Sequence, residues 1–146
     1  MHFGRERFFL TGGTGFVGSC LARRLSEAGA DVHLLVRNGK QYKRLKDIED
    51  KITFHVGDLT GENLESIIRD IQPTVIYHLA VHGAYPFQIN ADETIRTNVF
   101  GTWNLLKACA AIDYKAFVNV GSSSEYGSKS RAMRETDVLE PNSYYA

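Results

Sequence analysis

The 146-residue chain balances 17 basic against 17 acidic side chains, so it has room for one domain with a real core and no electrostatic case for a nucleic-acid or membrane partner. No apolar run approaches the ~20 residues of a bilayer span, and the opening Met1-His2-Phe3-Gly4-Arg5-Glu6-Arg7 lacks the shape of a signal peptide. Cys20 and Cys109 fall in helix-patterned segments without zinc spacing; they read as buried thiols of a cytoplasmic protein with no metal site.

Apolar, β-rich runs alternate with helical patterns along the chain. Arg7–Leu10 reads as a first strand, and Val17, Leu21, Leu25 and Ala28 then recur at helical spacing until Gly29. Asp31–Arg37 is a second strand, Gln41–Asp50 a weak helix and Ile52–Val56 a third strand. Leu64, Ile67, Ile68 and Ile71 mark a third helix, which Gln72-Pro73 ends before a fourth strand at Thr74–Ala80. Ile95, Val99, Trp103, Leu106 and Ala110 line one face of a long fourth helix, and Lys115–Val120 is a fifth strand. This order predicts an α/β fold: a Rossmann-type, doubly wound parallel sheet of about five strands with helices on both faces and ligands at the C-terminal strand ends.

Between the first strand and first helix stands Thr11-Gly12-Gly13-Thr14-Gly15-Phe16-Val17-Gly18. Its glycines fit G-x-G-x-x-G from Gly13 or G-x-x-G-x-x-G from Gly12. The first glycines allow a tight turn with positive φ. Gly15, lacking a Cβ, lets backbone approach a pyrophosphate, and Gly18 lets the helix pack close to the strand. Gly12, Gly15, Phe16, Val17 and Gly18 are therefore candidate cofactor-binding residues. NAD sites usually carry an acid about 20 residues past the glycines, at the end of the second strand. Arg37 stands there instead, with Lys40 close behind, and a cation suits a 2′-phosphate. NADP is favoured, with NAD as the alternative. After the third strand, Asp58 is placed to accept from the adenine amino group, beside Leu59.

Four further segments carry a resemblance. They are His78-Leu79-Ala80, Asn98-Val99-Phe100-Gly101-Thr102, Ser122-Ser123-Ser124-Glu125-Tyr126-Gly127 and Pro141-Asn142-Ser143-Tyr144-Tyr145. With the glycine turn, and in this order, they resemble the extended short-chain dehydrogenase/reductases, the nucleotide-sugar epimerase/dehydratase/4-ketoreductase family. The resemblance implies hydride transfer between a nicotinamide cofactor and a nucleotide-activated sugar or deoxysugar. It implies a cofactor-binding role for Leu79, Ala80 and Asn98. It also implies a tyrosine that moves the sugar hydroxyl proton, a serine that bonds the same oxygen and a lysine four residues past the tyrosine. A free tyrosine, with a pKa near ~10, needs such a cation to act as a base at neutral pH.

Carried over, the tyrosine is Tyr145, with Tyr144 as runner-up. The serine is Ser123 counted from the strand, or Ser122 counted back from Tyr126-Gly127, because the loop is one residue shorter than the usual pattern. Ser124 and Glu125 would face the substrate, with His82 and Tyr85 from the loop after the fourth strand. The resemblance implies, for dehydratases, an Asp-Glu or Ser-Glu pair one residue removed from Tyr-Gly; here Glu125 is the loop's one acid and lies directly beside Tyr126, a displacement that favours a 4-ketoreductase or epimerase. The sequence ends at Ala146, before the expected lysine, so residues 1–146 are expected to form an incomplete NAD(P)-binding domain, inactive alone. The other reading is a dinucleotide-binding module without catalysis, a redox sensor or interaction partner. The resemblance also implies homodimerisation through the long fourth helix, with Trp103, Leu105 and Leu106 as an exposed patch.

Overall fold

The computed structural model describes residues 6–37, 42–85 and 87–146. Five strands make one sheet: β1 (Arg7–Thr11), β2 (Asp31–Val36), β3 (Thr53–Val56), β4 (Val75–His78) and β5 (Ala116–Asn119). Their order is β3-β2-β1-β4-β5, and every pairing is parallel. The doubly wound parallel sheet expected from the alternating pattern is present. The chain runs outward from β1 to β2 and β3, then crosses back to β4 on the other side of β1, so the crevice at the C-terminal ends of β1 and β4 is the topological switch point.

Side-chain alternation along each strand feeds two cores. Phe8, Leu10, Val32 and Leu34 face α1 (Phe16–Glu27), where Ala22 and Leu25 meet them together with Leu45, Ile48 and Ile52. Phe9, Leu35 and Ile76 face the other way, against Leu64, Ile68 and Ile71 of α2 (Leu64–Ile71) and Leu105, Ala108 and Cys109. α2 ends on Gln72, whose left-handed backbone (φ 51°) turns the chain into Pro73.

Several elements differ from the sequence expectation. The weak helix at Gln41–Asp50 is a 3₁₀ turn at Lys46–Lys51, following Leu45. Its apolar anchors Leu45, Ile48 and Ile52 suit a tight turn pinned at both ends, and Arg23 fastens it by a two-pronged bond to Asp47 (2.7 and 3.1 Å) and to the Arg44 carbonyl (2.8 Å). The long fourth helix is three pieces in series: α3 (Ala91–Ile95), a π-helical turn (Arg96–Gly101) and α4 (Thr102–Cys109).

The core-facing side of that helix is Thr94, Gly101, Leu105, Ala108 and Cys109. The stripe of Ile95, Val99, Trp103 and Leu106 lies in the open, Trp103 at 62% exposure, while Leu105 is fully buried and so is no part of an exposed patch. Cys20 is exposed rather than buried, because α1 turns it away from the sheet; Cys109 is buried, which pushes its thiol up to about 11.

Candidate functional site

Every polar motif sits at the C-terminal edge of the sheet. The β1–α1 turn is built on Gly12, at φ +67°, whose Cα packs so tightly that an added Cβ would lie 2.6 Å from the Leu79 carbonyl carbon and oxygen. Gly18 is equally constrained, but by the turn itself rather than the strand: a Cβ there would meet the Gly12 oxygen at 2.3 Å. Gly15 is different. It has φ −72°, and the nearest atom to an added Cβ is the Gly12 oxygen at 3.2 Å. Gly12 and Gly18 thus serve the fold, and Gly15 leaves a surface open. No side chain caps α1, so the first-turn N–H groups, those of Phe16 and Val17 among them, point outward where an anion could accept from them. The Phe16 and Val17 side chains themselves are exposed.

Two cavities open here. The larger, about 790 Å³, runs from Gly12 and Gly15 past Arg37 to Asp58 and Leu59, and is closed on its other side by Leu79, Ala80, His82 and Tyr85. Lys43 and Arg44 join Arg37 in its wall, two cations that the sequence reading did not assign. Lys40 lies outside the described residues. Asp58 Oδ1 accepts from the Thr60 N–H (2.8 Å) and hydroxyl (2.7 Å). Burial raises this carboxyl, but the two Thr60 bonds, with Arg37 and Arg96 nearby, outweigh it and hold the pKa below its usual value.

The smaller cavity, about 260 Å³, is walled by Leu79, Ala80, Asn98, Ser122, Glu125 and Tyr145, among others. Leu79-Ala80-Val81 lines both cavities and is the partition between them. Of the three serines, Ser122 forms the wall. Ser123, the residue counted from the strand, is exposed outside it, and Ser124 does not line it either. The reason is local: Ser122 begins the 3₁₀ turn Ser123–Tyr126, its Oγ accepting from the Ser124 N–H (3.1 Å), and the turn rotates the next two side chains away. Its hydroxyl proton stays available to a ligand.

Gly127 (φ +66°) ends that turn against Glu140, where a Cβ would stand 2.0 Å from the carbonyl oxygen. The Glu140 N–H bonds the Glu125 carbonyl (3.0 Å), and Lys129 pairs with the Glu140 carboxylate. These contacts return the chain so that Tyr145 reaches the cavity, its Cβ over Gly83; Tyr144 is 76% exposed and outside.

The loop after β4 is clamped rather than loose. Both ends of the Asn98 amide hold the His82 backbone: the His82 N–H donates to Oδ1 (2.9 Å) and Nδ2 donates to the His82 carbonyl (2.8 Å). Asn98 therefore borders the smaller cavity as a loop clamp. The His82 ring turns to Thr94 Oγ1 (3.2 Å) and Glu93 (3.4 Å). Tyr85 stacks on Phe87 with ring centroids 5.4 Å apart, both exposed at the rim. At the end of β4 lies a buried group that the sequence showed only as the first residue of the His78-Leu79-Ala80 segment. His78 is 3% exposed, with Nδ1 2.6 Å from Thr11 Oγ1 and Nε2 2.9 Å from Thr102 Oγ1. Burial drives its pKa down to about 4, so the ring is neutral at physiological pH.

Among the described residues no group of three or more His, Cys, Asp and Glu side chains could hold a metal ion, and no helix is long and apolar enough to cross a membrane.

Residues 8–146 match the model of the NAD dependent epimerase/dehydratase family. The chain is 32% identical over 130 residues to CDP-glucose 4,6-dehydratase of Salmonella typhimurium, covering 85% of this chain and 36% of that protein. It is 33% identical over 158 aligned positions to GDP-mannose 4,6 dehydratase of Homo sapiens, covering 97% and 42%. Among solved structures it is similar to UDP-glucuronic acid 4-epimerase of Bacillus cereus in complex with NAD, with TM-score 0.80, 28% identity and coverage of 95% of this chain and 47% of that one. The chain thus spans about two fifths of the length of these curated relatives.

Proposed function

The chain belongs to the NAD-dependent epimerase/dehydratase family, and from that premise we propose that it is the dinucleotide-holding part of an oxidoreductase acting on a nucleotide-activated sugar or deoxysugar. The observation that carries this reading is the shared partition. A dinucleotide laid with its pyrophosphate on Gly15 and the α1 N-terminus would have adenosine in the larger cavity and nicotinamide beyond Leu79-Ala80-Val81, facing Ser122 and Tyr145.

In that pose Asp58 uses Oδ2, the oxygen that Thr60 leaves unbonded, to accept from the adenine amino group. Arg37, Lys43 and Arg44 surround the adenosine ribose with positive charge, so we read the cofactor as NADP. The nicotinamide supplies or accepts hydride at a sugar carbon. Tyr145 gives or takes the hydroxyl proton at that carbon, and Ser122, in the place expected of Ser123, donates a hydrogen bond to the same oxygen. Among the described residues Glu125 is the one carboxylate side chain in the smaller cavity's wall, which suits a 4-ketoreductase or epimerase better than elimination of water from the ring.

Among the described residues no lysine or arginine lines the smaller cavity beside Tyr145. The 146-residue chain is expected to bind reduced dinucleotide without oxidising it when a nucleotide-activated 4-ketosugar is added, followed by nicotinamide absorbance. Sugar-dependent oxidation by this chain would contradict the proposed division of labour, and failure to bind any dinucleotide would contradict the proposal as a whole.

A further inference from the structure

The hydrogen bonds around His78 have only one consistent direction. Thr102 has a single hydroxyl proton, and it goes to the Asn98 carbonyl at 2.6 Å. Thr102 Oγ1 must therefore accept from His78, which fixes the ring proton on Nε2 (2.9 Å). In the neutral ring Nδ1 is then bare and accepts the Thr11 hydroxyl proton at 2.6 Å. Thr11 Oγ1, having given its proton away, accepts the Ala80 N–H at 3.2 Å. Each member donates once and accepts once, from the Ala80 amide to the Asn98 carbonyl.

The chain of bonds joins three elements, β1, β4 and the π-helical turn, and adds side-chain bonds to the backbone bond from the Leu79 N–H to the Thr11 carbonyl (3.2 Å). Thr11 and His78 are direct partners in the β1–β4 register, at the last residue of each strand. Asn98 lies within the π-helical turn and Thr102 directly follows it; the Asn98 carbonyl accepts from the Thr102 hydroxyl while the Asn98 side chain grips the His82 backbone. The partition Leu79-Ala80-Val81 is therefore held at its middle, by the Ala80 amide on Thr11, and just beyond its far end, by Asn98 on His82.

We infer that His78, acting through Thr11 and Thr102, is a positioning residue for the dinucleotide: a tautomer-locked relay that sets the wall between the adenosine and nicotinamide cavities. This rests on the dinucleotide reading above. Thr11 lines the larger cavity and His78 and Thr102 line the smaller, so the relay is part of the walls it holds. Its effect is to hold the wall in one place before binding, so that the order need not be imposed by the ligand.

Two measurements test it on the 146-residue chain. ¹⁵N NMR of the imidazoles at neutral pH is expected to show His78 protonated at Nε2 alone; protonation at Nδ1 would overturn the relay without any variant. Thr102→Val keeps the shape and removes the hydroxyl, stranding the His78 Nε2–H and the Asn98 carbonyl; it is expected to weaken NADPH binding about tenfold, with Thr102→Ser restoring it to within about twofold. A folded Thr102→Val protein that binds NADPH as tightly as the parent would overturn the positioning role alone. A parent chain that binds no dinucleotide would instead remove the reading on which the role rests.

Discussion

Gly12→Ala is expected to cost the chain about 2–5 kcal/mol of stability and to abolish dinucleotide binding. Two effects add. The residue sits at φ +67°, where a side chain costs about 1–2 kcal/mol. The new Cβ would also lie 2.6–2.7 Å from the Leu79 carbonyl and the Ala80 nitrogen, all backbone atoms with no rotamer to yield, and overpacking of this kind costs about 1–3 kcal/mol. Against a total stability of about 5–15 kcal/mol this is a large fraction. Relief comes only by displacing Leu79-Ala80, the partition of the two cavities, so binding goes with it. Gly15→Ala is the matched control: its φ is ordinary and its closest neighbour stands at 3.2 Å, so stability should change by less than about 1 kcal/mol while dinucleotide affinity falls. Urea denaturation beside NADPH titration separates the two. Gly12→Ala with parental stability would contradict the packing of the turn on the β4 loop. Unchanged affinity in Gly15→Ala would contradict a backbone approach at that glycine.

Acidification supplies the second large effect. The His78 imidazole titrates at about 4 in the fold, because it is buried between two threonine hydroxyls, against about 6.5 in the unfolded chain. Above pH 6.5 both states are neutral and its contribution is complete. Between 6.5 and 4 the unfolded chain takes up a proton that the fold refuses, so stability declines by about 3 kcal/mol across that window and levels off below it. His55, lowered by burial and by the neighbouring His33, adds a smaller decline in the same direction. The depressed carboxyls of Asp58, Asp47 and Asp137 act in a separate window, since their contribution is lost only as pH falls through their folded values, below the usual carboxylate range. Urea midpoints followed with pH should show the decline in the parent and a flatter profile in His78→Gln. An NMR titration of the His78 ring with a midpoint near 6.5 would contradict the account directly.

The strands were readable because a sheet covered on both faces needs near-continuous apolar runs, and Phe8-Phe9-Leu10 and Val32 to Val36 supply them to two cores at once. The glycine turn was readable because backbone geometry demands glycine at Gly12 and Gly18. The long helix was harder. Its packed side is made largely of small or polar residues, Thr94, Gly101 and Ala108, while the larger apolar Ile95, Val99, Trp103 and Leu106 are exposed, so an apolar stripe drawn from Ile95 to Ala110 follows the exposed side instead of the packed one. The serine loop left Ser122 and Ser123 both open by counting, and only the 3₁₀ turn with its Ser122 cap shows which side chain meets the cavity. The relay could not be seen at all from spacing, since Thr11, His78 and Thr102 meet through strand register, and its direction follows from where single hydroxyl protons go.

The central claim is that these residues form a dinucleotide site with cationic recognition of the adenosine ribose. Titration of the 146-residue chain with NADPH and NADH, followed by nicotinamide fluorescence, tests it most directly. The account predicts saturable binding of both and tighter binding of NADPH, with Arg37→Glu lowering NADPH affinity about tenfold or more and removing the preference. Binding of neither dinucleotide by the folded chain would contradict the site. Preference for NADH would leave the site in place and contradict the role of Arg37.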